Sequence, residues 1–442
     1  MNADLAIRAA YYLEPETLDL RSDVTLVIDK GRRVALLEGA QAKVDAKREL
    51  DAGDAVIAPA FINAHAHLDL SHLRSMPLDG EHFGEWLSAV VASRAAPVSV
   101  IASAAEFTLN EMLATGCAGV LDILATNQGA ADVAKATLAS GLRAAIAVEI
   151  LSPDPDAEEF MFGKTCDLIE EIVALVLAHT KEEKAAYQAR LASGERSPQV
   201  ALSPHAPYSV SPRLYQKLAA YCAERKMMQT THMNESIAER EFLVEGGGKL
   251  APLYAAMGLD TTKMRWTNRD GLTTWVEEVL PAIQAGVNET IHAHCYDLSD
   301  ENVAQLGANN QCVAYCPRSR RYFGHPKFRM RDLLNAGARV TIGTDSLGST
   351  PNLNMMQELQ AAWADLEGEV SAEELFRAAT TEGLKAVFAP NMTRDDLRHS
   401  ADIQIFRAPS EFSESNPAQS LIESAPLCLA TLVAGEIRHR HI

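Results

Sequence analysis

The sequence predicts an α/β protein: a (β/α)8 barrel, the TIM-barrel architecture, with a small β-sandwich domain built from both ends of the chain. Three observations predict it. Eight apolar, strand-like runs alternate with helical patterns through the middle of the 442 residues, as repeated βα units do. Polar side chains recur where those runs end, on the face that carries the active sites of this fold. The two ends of the chain contain short runs typical of all-β domains.

The first predicted barrel strand ends in two histidines, His65 and His67. The strands are separated or followed by segments with helical spacing, such as residues 211–226 and 353–366. The remaining seven predicted strands cover residues 119–124, 143–150, 199–205, 228–232, 289–294, 311–317 and 339–345.

Both ends of the chain have β character. Residues 24–37 predict two strands joined at Lys30-Gly31, and residues 401–406 and 428–438 resemble them in pattern. We expect residues 1–57 and 393–442 to form the two parts of the β-sandwich and residues 58–392 to form the barrel. A charge-rich stretch, residues 155–195, predicts a solvated helix inserted between the third and fourth strands.

Composition restricts the classes of function. The formal net charge is −19, which argues against a nucleic-acid or anionic-membrane surface. No run is long and apolar enough to span a bilayer, and no N-terminal pattern predicts a signal peptide. Seven scattered cysteines favour a reducing compartment over a disulfide framework. We therefore expect a cytoplasmic protein that acts on a small molecule.

The histidine pair of the first strand is the first chemical signal. Residues i and i+2 of a strand point to the same side, so His65 and His67 converge as two imidazole ligands of a metal would. The pair alone is a weak signal, because two histidines also occur together on ordinary surface strands. The prediction of a metal therefore depends on the groups at the other strand ends.

Further candidate groups follow the fifth, sixth and eighth strands. His232 could supply a third imidazole, and Glu235, three residues later, a general base for a metal-activated water. One of His292 and His294 could enter the site as a ligand, an acid or an electrophile. Asp345 could complete the coordination sphere, take a proton from water, or do both.

Each of these residues also has an ordinary structural explanation. A histidine at a strand end is commonly a hydrogen-bonded core residue, and an aspartate there is commonly a helix cap. All of them, however, would meet at one barrel mouth, and this common location favours a metal-dependent hydrolase. The fourth strand ends in His205 without a lysine, so no bridging carbamylated lysine is available there and one metal ion is expected. Three imidazoles and a carboxylate suit zinc and iron(II) equally.

Five motifs give the chain a resemblance to the amidohydrolase superfamily, and within it to the cytosine-deaminase-like and chlorohydrolase-like (TRZ/ATZ) metal-dependent deaminases. The resemblance covers nearly the whole chain. The motifs, which stand in the family's order, are Pro59-Ala-Phe-Ile-Asn-Ala-His65-Ala-His67-Leu-Asp69, Ser203-Pro-His205-Ala-Pro-Tyr208-Ser209, His232-Met-Asn-Glu235-Ser236, His292-Ala-His294-Cys295 and Gly343-Thr-Asp345-Ser346.

The resemblance implies catalytic roles for several of these residues. Glu235 would shuttle a proton between water and a ring nitrogen of the substrate, and His294 would orient and polarise the attacking water. Asp345 would also manage a proton, and His292 would be a neighbour or a packed residue. The implied ligands of one divalent metal ion, zinc or iron(II), are His65, His67, His232 and Asp345.

The resemblance also suggests a substrate. Residues 316–326 and 343–353 look closest to deaminases of 6-amino-6-deoxyfutalosine, an adenine nucleoside bearing a benzoate, on the menaquinone route. Arg318 would then pair with the benzoate, or else be a surface or salt-bridge residue. Trp86 would stack on the base, or else be a packed helix aromatic. The other implied substrate contacts are His205, Tyr208 and Ser346.

Two further hypotheses differ in the substrate or in the class of protein. A related hydrolase could act on another ring, such as methylthioadenosine or S-adenosylhomocysteine, guanine, a pterin or a triazine, with the same site and different loops. A metal-free binding barrel would be expected to lack a ligand, whereas all the expected groups are present. The resemblance further suggests a homodimer, which no stretch of the sequence demonstrates.

Overall fold

The structure, a computed structural model, describes residues 2–39, 44–75, 83–125, 128–192, 199–260, 269–285, 290–366 and 368–441. Two sheets organise these residues, each with eight strands. The strands are β1 (Asn2–Leu13), β2 (Leu20–Asp29), β3 (Arg32–Glu38), β4 (Asp45–Asp51), β5 (Ala55–Pro59), β6 (Phe61–Ala66), β7 (Cys117–Ala125), β8 (Arg143–Ile150), β9 (Val200–Pro204), β10 (Gln229–Met233), β11 (Thr290–His294), β12 (Cys312–Tyr315), β13 (Arg339–Ile342), β14 (Ile403–Arg407), β15 (Cys428–Val433) and β16 (Glu436–Arg440).

The barrel is a parallel sheet in which β6 to β13 follow one another in chain order. A parallel bridge between Ala66 and Asp345 joins its first and last strands. The N–H groups of Thr344 and Asp345 both donate to the carbonyl oxygen of His65 at 3.0 Å, which strengthens this seam. The eight predicted strands agree with β6 to β13, although Glu289, the predicted start of the sixth strand, lies outside the described residues. The predicted fold class is confirmed.

Helices lie between the barrel strands, and two of them, α6 and α14, agree with the helices predicted at 211–226 and 353–366. The helices are α1 (Phe83–Ser93), α2 (Val98–Ala114), α3 (Ala130–Ala139), α4 (Glu158–Thr180), α5 (Lys184–Ala192), α6 (Pro212–Arg225), α7 (Ile237–Glu245), α8 (Ala251–Ala256), α9 (Gly271–Thr274), α10 (Leu280–Ala285), α11 (Asp300–Ala308), α12 (Pro317–Phe323), α13 (Met330–Ala336), α14 (Met355–Leu366), α15 (Ala372–Ala379), α16 (Thr381–Val387), α17 (Arg394–Arg398) and α18 (Pro417–Ser424), with a π-helical turn at Trp275–Val279 and 3-10 turns at Leu68–Ser75 and Pro155–Ala157.

The charge-rich stretch after the third barrel strand differs from its prediction. The sequence predicts a solvated insertion over residues 155–195, whereas α4 buries Ile169, Ile172 and Val176. These residues follow the i, i+3, i+7 spacing of one helix face, and α4 packs that face on β8 and α3. It is therefore the barrel helix of the third βα unit, and α5 is the additional helix. Residues 193–195 lie outside the described residues.

The second sheet joins the two ends of the chain. Its strand order is β16-β15-β14-β5-β1-β2-β3, with β4 also paired to β1. The far ends of this sheet meet, since a Cβ on Gly435 would lie 2.7 Å from Ile28. The sheet therefore closes around a core of its own, which includes Leu5, Ile7, Leu26, Ile403 and Leu432.

The chain passes from the terminal sheet to the barrel at Ala60, between β5 and β6. The predicted boundary between residues 57 and 58 thus falls inside β5, and the exact domain limits stay predictions. Among the described residues, no single helix has the length and apolar composition to cross a membrane, although one sharply bent pair, Gly84–Ser93 with Val98–Ala114, passes that test together.

Candidate metal centre and active site

Four imidazoles and one carboxylate meet at the mouth of the barrel, all buried. The Nε2 atoms of His67 and His232 are 3.2 Å apart. The Oδ1 atom of Asp345 lies 3.7 Å from Nε2 of His67 and 3.9 Å from Nε2 of His65. Within these five residues, two sets of three have ligand atoms within 4.8 Å of one another and could hold a metal ion: His65, His67 and His232, and His65, His294 and Asp345.

The donors of this cluster fit a divalent metal ion. Metal–nitrogen bonds of about 2.1 Å place two neighbouring ligand nitrogens roughly 3 Å apart, close to the separation of His67 and His232. Both ring nitrogens of His65 are buried without a hydrogen-bond partner, and a bound cation would satisfy one of them. Burial and then the neighbouring imidazoles lower the pKa of His65 and His67 well below the usual value. Both rings are therefore neutral, the form that binds metal.

Hydrogen bonds outside the cluster fix the orientation of two candidate ligands. The Nδ1 atom of His232 donates to the carbonyl oxygen of His205 at 2.9 Å, which leaves the lone pair of Nε2 directed into the site. The Oδ2 atom of Asp345 accepts from the hydroxyls of Ser319 at 2.6 Å and Ser349 at 2.9 Å. Its Oδ1 atom is thereby left to face the histidines.

The backbone leaves ordinary strand geometry at several of these positions. Asn234, His294 and Asp345 have φ values of 46°, 74° and 64°, a left-handed conformation that costs a non-glycine residue about 1–2 kcal/mol. Backbone strain of this kind is typical of functional sites. Asn234 directly follows β10, His294 ends β11 and Asp345 lies three residues beyond the end of β13, so the strain is concentrated at the mouth.

The left-handed conformation of His294 separates it from His292. Regular alternation would put both histidines on one face of β11. Instead the ring of His292 lies edge-on to Trp275, with centroids 4.4 Å apart, and its Nε2 atom is 3.2 Å from Oε1 of Gln311. The structure thus brings His294, and not His292, into the cluster.

A bulge in β6 contributes to the placement of the first two histidines. The pairing of β6 with β7 shifts between Asn63, opposite Val120, and Ala66, opposite Asp122. The extra residue on β6 bends the strand and changes the direction of the side chains that follow. The side chain of Asn63 donates to the hydroxyl of Thr344 at 2.8 Å and accepts from its N–H at 3.1 Å. The bulge is therefore tied to the last barrel strand.

Glu235 lies between two further imidazoles. Its Oε1 atom is 3.7 Å from Nε2 of His294 and 3.8 Å from Nε2 of His325. Burial raises the pKa of Glu235, but His294 and His325 outweigh that effect and hold the pKa below its usual value. The ring of His325 stacks on those of Tyr296 and Phe323. Glu235 is therefore an ionised, buried carboxylate beside the candidate metal ligands.

The first turn of α7 holds the backbone of Glu235. Ser236 caps this helix by accepting from the N–H of Glu239 at 3.1 Å. The carboxylate of Glu239 reaches back to the N–H groups of Asn234 and Glu235, at 3.2 Å and 2.8 Å. This arrangement resembles a capping box, and it fixes the peptide that carries the Glu235 side chain.

A cavity of about 560 Å³, including space open to solvent, lies over the cluster. Four of the five predicted substrate contacts line it: Trp86, His205, Tyr208 and Ser346. Trp86 also has a structural contact, since its Nε1 atom donates to the carbonyl oxygen of Gly348 at 2.9 Å. The apolar part of the wall consists of Leu70, Trp86, Leu87, Val90, Val91 and Leu151.

The structure places Arg318 differently from the predicted substrate contact. Its Nε atom donates to Glu358 at 2.6 Å, and Nη1 donates to the side chains of Asn352 at 2.9 Å and Gln357 at 2.8 Å. It is not among the described residues that line the cavity. Because these partners use the guanidinium group, the structure favours the alternative reading of Arg318 as a salt-bridge residue.

Three residues that the structure places at the site were not predicted from the sequence. His325 follows α12 and reaches Glu235, and it stands within residues 316–326, where no role was predicted for it. Glu149 is a single acidic residue in the apolar run 143–150, a signal that could have been used. Arg94 lies just after α1, and its Nη2 atom is 3.6 Å from Oε2 of Glu149. No sequence signal indicates that contact.

Comparison with known proteins assigns the family. A sequence model described as "Amidohydrolase family" matches residues 56–392. The chain belongs to the amidohydrolase family. It is therefore a hydrolytic enzyme, and the suspected superfamily is confirmed.

Curated relatives of this amidohydrolase are named as nucleoside deaminases. The 5-methylthioadenosine/S-adenosylhomocysteine deaminase of Pyrococcus horikoshii is 25% identical over 346 residues, which cover 76% of this chain and 71% of that protein. The aminodeoxyfutalosine deaminase of Deinococcus radiodurans is 28% identical over 348 residues, with 75% and 73% covered.

Solved structures of the family share the fold. An adenosine deaminase from Xanthomonas campestris with bound zinc has a TM-score of 0.73 at 20% identity, with 99% of this chain and 93% of that chain covered. The aminofutalosine deaminase of Helicobacter pylori in complex with methylthio-coformycin has a TM-score of 0.76 at 19% identity, with 98% and 100% covered.

Proposed function

We propose that this amidohydrolase is a metal-dependent hydrolytic deaminase of an adenine nucleoside with a modified 5′ end. In this proposal one divalent ion, zinc or iron(II), is held by His65, His67, His232 and Asp345. The observation that carries the proposal is the position of Glu235, a buried carboxylate that adjoins the metal cluster and faces the cavity. Deamination of a ring needs such a group, because a proton must move from water to a ring nitrogen beside the reacting carbon.

The chain's own residues supply the proton transfers. The bound metal supplies Lewis acidity that makes water a better nucleophile. Glu235 accepts a proton from the attacking water and donates it to the ring nitrogen. Asp345 accepts the second proton and returns it to the amino group, which leaves as ammonia. Nε2 of His294 lies 3.7 Å from Oε1 of Glu235, and His294 would orient the water from which Glu235 takes a proton.

Two observations support a nucleoside with a modified 5′ end. The relatives named as deaminases of 5-methylthioadenosine and S-adenosylhomocysteine, aminodeoxyfutalosine and 5′-deoxyadenosine act on adenine nucleosides that differ at the 5′ position. The apolar wall that α1 contributes to the cavity suits a substituent with apolar groups. The leading candidate is 6-amino-6-deoxyfutalosine, which would place the enzyme on the menaquinone route in the cytoplasm; methylthioadenosine and S-adenosylhomocysteine are the alternatives. The homodimer suggested by the resemblance stays a prediction.

The test is ammonia release by the purified enzyme, with the metal content of the same sample measured. The substrates are 6-amino-6-deoxyfutalosine, 5′-methylthioadenosine, S-adenosylhomocysteine, adenosine, guanine, a pterin and an aminotriazine. Release from one or more adenine nucleosides supports the proposal and identifies the 5′ group. Release from guanine, the pterin or the triazine alone would replace the nucleoside with that ring.

A variant tests the role of Glu235. Glu235→Gln keeps the size of the side chain and removes its basicity, so we expect turnover to fall by about 10²- to 10⁴-fold while the metal content stays unchanged. The matched control is Glu245→Gln, at an exposed position at the end of α7, the helix that follows Glu235. This variant should keep both the turnover and the metal content of the wild type. Full activity of Glu235→Gln would show that another group moves the proton.

A further inference from the structure

A third buried carboxylate, Glu149, faces the cavity from the third barrel strand, in addition to Glu235 and Asp345. Ala145 and Ala147 of β8 belong to the interior of the barrel, so alternation puts Glu149 on the same inner face at the end of the strand. It lines the cavity and is 1% exposed. The proton transfers of the proposed mechanism do not use it.

One oxygen of Glu149 lacks a partner. Its Oε2 atom is 3.6 Å from Nη2 of Arg94, whereas its Oε1 atom and Nε of Arg94 are buried without hydrogen bonds. An unsatisfied buried acceptor costs about 1–3 kcal/mol, which a hydrogen-bond donor on a ligand would recover. The guanidinium of Arg94, at 3.6 Å, favours the carboxylate form, which accepts hydrogen bonds, whereas burial acts against it and raises the pKa of Glu149.

A second metal ion is the competing occupant. Oxygen or nitrogen atoms of Glu149, His205 and His232 lie within 4.8 Å of one another. However, Nδ1 of His232 is bonded to the carbonyl oxygen of His205, and its Nε2 belongs to the first metal cluster. Nδ1 of His205 is engaged at 2.6 Å by the hydroxyl of Ser209. A second ion would therefore have at most one atom of Glu149 and one of His205 from this set.

The chemistry of an adenine nucleoside restricts what Glu149 can bind. An ionised carboxylate accepts hydrogen bonds and donates none. The amino group of adenine reacts at the metal, and the other ring nitrogens of the base are acceptors. Apart from groups on the 5′ substituent, such as the ammonium of S-adenosylhomocysteine, the donors that the candidate substrates share are the hydroxyl groups of the ribose. We propose that Glu149, held by Arg94, is a specificity residue that accepts hydrogen bonds from the 2′- and 3′-hydroxyl groups; this inference rests on the proposed function.

The test combines enzyme variants with a changed substrate. Ammonia release is measured for wild type and Glu149→Gln on the adenine nucleoside that the wild type deaminates best and on the 2′,3′-dideoxy analogue of that nucleoside, which lacks both hydroxyls. A hydrogen bond to a charged acceptor corresponds to about a 10- to 100-fold effect. We expect wild type to lose that factor in kcat/KM on the dideoxy substrate. Glu149→Gln should lose a similar factor on the nucleoside itself and less than about 3-fold on the dideoxy substrate.

The two kinetic parameters separate this role from catalysis. A contact made equally in the ground state and the transition state changes KM and leaves kcat nearly constant. Glu149→Gln should therefore raise KM for the nucleoside, whereas Glu235→Gln lowers kcat. Arg94→Met should have the same pattern as Glu149→Gln because it removes the group that holds the carboxylate. Glu171→Gln, an exposed position on α4, is the control and should match wild type.

Several results would overturn the inference. Equal losses on both substrates in Glu149→Gln, or loss of bound metal in that variant, would assign Glu149 to catalysis or to metal binding. A wild-type enzyme that uses both nucleosides equally well would overturn it even if the variants did not fold. Failure of wild type to deaminate any nucleoside would contradict the proposed function and the inference together. The earlier results would contradict the inference alone, so the two failures are distinguishable.

Discussion

At the scale of single residues, His65 has an environment that only a ligand completes. Its ring is fully buried, neither nitrogen has a hydrogen-bond partner, and Asp345 lies 3.9 Å away. Buried polar atoms in proteins are nearly always paired, so the apoprotein carries an unpaired group here. Metal binding should therefore also stabilise the fold.

Removal of a neighbouring imidazole tests the metal cluster. In His67→Ala the cluster loses one donor, and we expect the purified protein to lose most of its bound metal and its activity, as measured by elemental analysis and ammonia release. His292→Gln is the matched control, since His292 is buried in the same barrel but contacts Trp275 and Gln311. It should keep its metal. A normal metal content in His67→Ala would show that His67 is not a ligand.

Sequence patterns indicated some of these residues and not others for a physical reason. His65, His67, His232 and Asp345 stand at the ends of apolar runs, so the parallel order of strands alone places them at one mouth. Arg318 also follows such a run, but its position depends on Glu358, 40 residues away. Glu149 and His325 depend on Arg94 and Glu235, which are likewise distant in the chain. A local pattern carries no information on such partners.

At the scale of elements, the alternation of apolar residues and their helical spacing predicted the strands and helices but not the exact positions of the side chains on them. The two-residue period predicted the strands, but it could not show the bulge in β6 or the left-handed residue at the end of β11. Those two irregularities help to place the histidines of β6 and β11. The charge of residues 155–195 suggested a solvated insertion, whereas the apolar residues of α4, spaced along one face, pack on the barrel.

The N-cap of α7 offers a test at this scale. In Ser236→Ala the N–H of Glu239 loses its acceptor, and we expect a loss of about 1 kcal/mol in stability with a fall in kcat, because the same turn holds Glu235. The metal content should not change. Ser371→Ala removes the equivalent cap of α15, outside the cavity wall, and should cost similar stability without affecting kcat. Equal kcat values in the two variants would separate the cap from catalysis.

At the scale of the whole molecule, the barrel closes beside the candidate metal ligands. A Cβ on Gly343 would lie 2.7 Å from Cβ of His65 and 2.9 Å from its carbonyl oxygen. The seam between the last and first strands therefore approaches a predicted metal ligand closely. The order of the eight strands was predictable from alternation along the chain, whereas this close approach depends on three-dimensional closure.

A single methyl group tests this coupling. Gly343→Ala forces His65 to move, so we expect a loss of about 1–3 kcal/mol in unfolding free energy together with weaker metal binding, measured by denaturation and metal titration. Gly163→Ala, in α4, has open space around the added atom and should be neutral or stabilising by about 0.5–1 kcal/mol. Unchanged metal affinity in Gly343→Ala would show that the seam and the cluster are independent.

The terminal sheet has a consequence for how the protein is made. In that sheet β5 lies between β1 and β14, so its second neighbour is translated only after the entire barrel. All five residues of β5 are buried in the folded protein. Before β14 is translated, the backbone N–H and C=O groups along one edge of this apolar strand lack partners, and such an edge can pair with another chain. The nascent polypeptide therefore carries an exposed strand edge throughout synthesis of the barrel, until β14 is translated and pairs with it.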